Sequence, residues 1–175
     1  MYVHREIGPT DGPRLLTLLD EPLPPELVAK IIEAVALIAE LDPKRYARLL
    51  FDLDAITIIE ISKPYAAYMP GARTCYLGNY FLREYPASNL AILIAHEGTH
   101  ARFDALHLVP WCRALKYRVE HRCLREELAL ASRFPRERFP DIDNWMADRA
   151  ASSQYSRSPT RAHGLSRVHR HLTRS

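Results

Sequence analysis

The sequence predicts a single α+β domain, and three observations point there. A run rich in β-branched residues, Ala55–Ile61 within Leu53–Ser62, is long enough for a core strand. Apolar residues recur at helical spacing from Leu27 to Leu41, and two longer helical stretches follow Pro86 and Pro110. Several short extended runs followed by helices make a mixed layer architecture. With 175 residues and 47% hydrophobic content, the chain can bury one substantial core.

The opening, through Asp20, holds Gly8-Pro9, Asp11-Gly12-Pro13 and the patch Leu15–Leu19, and reads as irregular entry structure with one short helical or extended piece. Pro24-Pro25-Glu26 then starts a helix, since proline is tolerated in a first turn where its missing N–H has no partner to lose. That helix ends near Asp42-Pro43, and Lys44–Asp52 adds a second, with Tyr46, Leu49 and Leu50 inward. Lys63-Pro64 ends the strand at Leu53–Ser62. Tyr65–Met69 is a further short strand, Pro70-Gly71 a turn, and Ala72–Leu77 another strand, broken by Gly78 and Asn79.

Pro86 clears the chain for a helix whose N-cap oxygens come from Ser88 or Asn89. Leu90–Ala95 is wholly apolar, which fits a helix buried nearly all round. The helix should run a turn past His100, through Phe103. A loop at Ala105–Val109 leads to Pro110 and a long helix reaching Phe134, in which Cys112, Leu115, Val119, Cys123, Leu130 and Phe134 share one face. Glu120 and Glu127 fall on that face or its edge, and a carboxylate aimed at a core requires a partner. After Pro135 and Pro140, Asp141–Tyr155 makes a last amphipathic helix.

The buried run ends in His96-Glu97-Gly98-Thr99-His100, an H-E-x-x-H motif. Residues four apart on a helix share a face, so both imidazoles reach one ion at about 2.0–2.1 Å. Glu97 projects beside that ion, where a carboxylate can take a proton from water and pass it to a leaving amine. Burying two histidines and a glutamate without partners is costly, whereas a shared cation satisfies all three. The five-residue pattern has only three fixed positions, so its weight comes from this setting. Gly98 costs the helix about 1 kcal/mol against alanine, unless a neighbouring element approaches closely there.

A catalytic zinc takes three protein ligands and keeps a fourth position open. Glu120 lies twenty residues beyond His100. A reversal through a short loop, followed by ten residues of helix at 1.5 Å each, returns the chain about 15 Å, level with the metal. Glu127 overshoots by about 10 Å on the same rise and serves better as a partner to a ligand, or as a reserve ligand.

With His96, Glu97, His100 and Glu120 in place, Ala55–Phe134 resembles the gluzincin branch of the zincin metallopeptidases, particularly the compact single-domain ones. The resemblance implies a zincin-like fold: a small mixed sheet with an edge strand, a buried H-E-x-x-H helix and a glutamate-bearing helix after it. It implies zinc on His96, His100 and Glu120, Glu97 as general base and acid, and Ala72–Leu77 as the edge strand beside which a peptide lies extended. Many gluzincins carry an aspartate four residues after the ligand glutamate; here that position is Leu124, leaving Glu127 or Asp104 to orient a ligand histidine. Tyr65, Tyr68, Tyr76, His107 and His121 are candidates near a metal, none with an assigned role.

Other features limit the alternatives. Three cysteines, Cys75, Cys112 and Cys123, form no CxxC pair and read as buried free thiols, although Cys112 and Cys123 are able to join a metal site. No stretch of about 18 apolar residues exists to span a membrane, and the N-terminal residues lack a secretory pattern, so a cytoplasmic protein is expected. Six of the 24 Lys and Arg side chains stand from Arg149 onward with no acidic residue among them, leaving 18 basic against 21 acidic before that point. Residues 1–155 are thus expected to form the domain and 156–175 a basic, disordered tail. With no aromatic after Tyr155 to stack on bases, a nucleic-acid partner is disfavoured. The expected function is a zinc-dependent metallopeptidase acting on a peptide or protein. The rival readings are a non-catalytic zinc-stabilised binding protein, and a nucleic-acid or acidic-partner binder using the tail.

Overall fold

The computed structural model describes residues 5–8, 13–19, 21–61, 66–108 and 113–155. Their elements are β1 (Arg5–Gly8), β2 (Arg14–Thr17), α1 (Pro25–Leu41), α2 (Pro43–Asp52), β3 (Ala55–Ile59), β4 (Ala66–Met69), β5 (Thr74–Gly78), α3 (Asn79–Glu84), α4 (Ala87–Ala105), α5 (Arg113–Ala131) and α6 (Ile142–Tyr155). The expected α+β class holds. The strands form one mixed sheet in the order β1-β2-β3-β5-β4. β2, β3 and β5 run parallel, and the outer strands β1 and β4 are antiparallel to their neighbours.

β3 and β5 lie inside the sheet and are buried almost throughout, which is why both read as continuous apolar runs instead of alternating ones. α4 packs against α1, α2 and α5 and touches β4 and β5. Leu90, Ala91, Ile92, Ile94 and Ala95 are all buried, as a helix enclosed on every side requires. Gly98 has a purpose there: a Cβ at this position would meet Leu49 Cδ1 at 2.6 Å, so its absence lets α2 lie close against α4.

The structure corrects several expectations. Ala72–Leu77 is not the edge strand: β5, which covers most of it, is sandwiched between β3 and β4, and β4 forms the edge. Turn residues Pro70-Gly71 were a sound guide to the β4–β5 hairpin, but which member lies outside depends on β3 claiming the other side of β5. The opening contains two paired strands where irregular structure with one short helical or extended piece was expected. β5 ends at Gly78 as expected, and the short helix α3, which was not expected, starts at Asn79. Pro86, with extended backbone, occupies the N-cap of α4 with no side-chain cap bond, and Ser88 and Asn89 fall inside the first turn. Leu50 points outward at 41% exposure, whereas Leu49 is buried. α5 ends at Ala131, and Phe134 is buried in the turn beyond it. Tyr65, Pro110, Cys112 and the tail at 156–175 lie outside the described residues. Among those described, no helix is long and apolar enough to cross a membrane.

Candidate metal centre

The helical spacing of His96 and His100 sets their rings one turn apart on α4, with centroids separated by 5.1 Å. α5 packs along α4 and brings Glu120 to them: its Oε2 stands 3.7 Å from His96 Nε2 and 3.6 Å from His100 Nε2. Two ligands each about 2.1 Å from a tetrahedral ion are about 3.4 Å apart, so this oxygen needs only a small adjustment to share a cation with both rings.

Glu127, two helical turns past Glu120, has a fully buried side chain, and its Oε2 accepts a hydrogen bond from His96 Nδ1 at 2.9 Å. That bond fixes the ring so that Nε2 faces His100 and Glu120. Leu124, which replaces the aspartate of the resembled family, leaves this orienting role open, and Glu127 fills it three residues further along. Asp104 does not share it; its carboxylate accepts the Tyr68 hydroxyl at 2.7 Å.

Without a metal, a proton supplies the positive charge. Burial by itself would depress the His96 imidazole, but the Glu120 and Glu127 carboxylates outweigh it and push the pKa up to about 10. Burial likewise opposes ionisation of Glu120, yet the His100 and His96 imidazoles beside it hold its carboxyl well below the usual range. The arrangement is a negatively charged cradle for a cation.

Cys123 joins the cluster. One ligand atom from each of His96, His100 and Cys123 lies within 4.8 Å of the others, and this buried set can hold a metal ion. Cys123 is a free, fully buried thiol as expected, but its place at the centre makes it a potential donor too. The sequence carried a signal for this: Cys123 follows Glu120 by three residues, on the same face of α5. Burial and the nearby Glu120, Glu97 and Glu127 push the thiol well up from its ordinary value.

Glu97 is 5% exposed and turns toward the sheet, where its Oε2 accepts the backbone N–H of Tyr68 at 2.7 Å. It therefore sits against the outer edge of β4, close enough for its charge to act on His96. Tyr68 spans the strand and the helix, with its N–H on Glu97 and its hydroxyl on Asp104. The remaining aromatic candidates do not join. Tyr76 is buried in β5, His107 is exposed at the end of α4 with φ 55°, and His121 pairs with Tyr117 at 6.3 Å, away from the cluster. Searches with family models, among curated proteins and among solved structures give no match for this chain.

Proposed function

We propose that the chain is a zinc-dependent peptidase in which His96, His100 and Glu120 bind the metal and Glu97 is the general base and acid. The observation that carries the reading is the position of Glu120 Oε2, within 3.7 Å of both imidazole Nε2 atoms, with Glu97 next to His96 on α4. Two nitrogens and a carboxylate oxygen are a donor set suited to zinc with one position left open. When bound, zinc lowers the pKa of water toward about 7 and polarises a carbonyl.

The protein's own groups do the rest. Glu97 accepts a proton from the attacking water and returns it to the departing amine. Its hydrogen bond to Tyr68 N–H keeps it aimed at the edge of β4. That edge offers backbone groups to an extended peptide, which would lie antiparallel or parallel to β4 as an added strand. Glu127 holds His96 in the tautomer that binds through Nε2. Glu120 is preferred to Cys123 as third ligand because it is already ionised beside both rings, whereas the thiol would have to lose a proton among three carboxylates.

One observation favours a second reading. If Cys123 joins both histidines and Glu120, four protein ligands close the shell and the zinc is structural. Zinc stoichiometry by elemental mass spectrometry, joined to a peptide-library cleavage assay, separates the two. The peptidase reading expects about one zinc per chain. His96→Ala and Glu120→Ala should lose it, Cys123→Ala should keep it, and Glu97→Gln should keep zinc while losing hydrolysis. Zinc lost in Cys123→Ala as well as in Glu120→Ala, with no cleavage by wild type, would establish the structural site. A wild type that takes up no zinc after reconstitution would end both readings.

A further inference from the structure

On another face of α4 from the histidines lies a cavity of about 200 Å³, formed where α2, α4 and α5 meet. Four guanidinium groups line it: Arg45 and Arg48 from α2, Arg102 from α4 and Arg122 from α5. Glu126 is the one carboxylate in the lining, and it is shared, with Arg45 at 2.7 Å and Arg122 at 2.6 Å. Arg102 Nη1 pairs with Asp52 Oδ1 at 3.4 Å, and Arg48 makes no ion pair among the described residues.

A positive cavity on a surface is ordinarily screened by water, but Arg45 is 9% exposed. A buried guanidinium requires compensation. Its Nη2 has Glu126; its Nη1 has no hydrogen-bond partner and only the more distant Asp42 carboxylate, at 3.5 Å. With Glu126, Asp42 and Asp52 as their partners, the four guanidinium groups leave one positive charge uncompensated. Guanidinium groups bind tetrahedral oxyanions through paired N–H donors, and a bound oxyanion would offset the uncompensated charge. The volume falls below that of pockets for drug-sized ligands, so the occupant is small. Leu49, Phe103 and Leu106 add an apolar side able to cover an attached organic group.

We infer that this cavity is a binding site for a phosphate group, either as inorganic phosphate or as a small phosphate monoester. The inference is independent of the metal centre. Because the site joins α2 to the two helices that carry the metal-binding side chains, its occupant clamps them together.

Isothermal titration calorimetry on the full chain, at constant ionic strength, tests it with inorganic phosphate, phenyl phosphate and acetate. Since phosphate also binds metals, the titrations use chelated wild type and the His96→Ala variant, whose fold is checked by circular dichroism. Saturable phosphate binding is expected in both, with acetate at least about tenfold weaker. Arg48→Gln with Arg122→Gln should weaken phosphate by about tenfold or more, and these positions avoid the buried Arg45 whose loss would disturb folding. Tighter binding of phenyl phosphate identifies a monoester site, and equal binding a site for the free anion. Unsaturable heats, an acetate affinity equal to that of phosphate, or full affinity in the double variant would overturn the inference.

Discussion

On the proposed reading, His96 is the residue at which proton and metal compete. Its folded pKa of about 10 lies above its ordinary 6.5. In the metal-free protein the stability from its ion pairs is therefore fully present below pH 6.5 and is lost as pH rises through about 10. Metal binds the neutral ring, so affinity should change the opposite way. Between pH 6 and pH 9 zinc affinity should rise by up to about tenfold per unit for each proton displaced, and calorimetry in buffers of different ionisation enthalpy should register that proton release. A pH-independent affinity would mean that His96 is not a ligand. Much of this neighbourhood was legible in the sequence, because the i, i+4 spacing of the histidines and the climb of ten residues to Glu120 are consequences of helix geometry alone. For Cys123 the sequence left two readings, a buried free thiol or a member of a metal site, since a small thiol in a core and one beside a metal occupy the same kind of apolar face.

Among the elements, β4 is the one whose place the sequence did not disclose. Its residues read correctly as a strand, but edge or interior is decided by which distant strand pairs with β5, and local pattern carries no information on that. The opening strands were missed for a related reason: each is only four residues long and gains its shape from its partner. Helices α1, α2 and α4 were placed within a residue or two because prolines mark their starts. One residue ties β4 to α4, and this gives a test. Tyr68→Phe removes the hydrogen bond to Asp104 while sparing the backbone bond to Glu97. It should cost about 1–2 kcal/mol in urea unfolding, because Asp104 keeps its charge without its donor. On the peptidase reading, KM for a peptide should rise more than kcat falls, since the loosened strand holds substrate and not the reacting atoms. An unchanged stability would show that water replaces the hydroxyl at no cost.

At the level of the whole molecule, the sheet and its helices are assembled from distant parts of the chain, yet every candidate donor and its orienting carboxylate falls between His96 and Glu127. They belong to two consecutive helices, α4 and α5, joined by the short connection from Ala105 to Arg113. Closing so short a loop costs little entropy, whereas pairing β3 with β5 must wait for the chain to pass through β4. The helical hairpin can therefore form ahead of the sheet, and a metal captured at that stage would act on the folding barrier as well as on the final state. Zinc added at the start of refolding should then raise the folding rate of wild type and leave that of His96→Ala unchanged in stopped-flow fluorescence. If zinc slows unfolding alone, the hairpin closes after the barrier. Early closure would mean that the ion enters as a template for the chain, and that a protein made without it starts folding from a different nucleus.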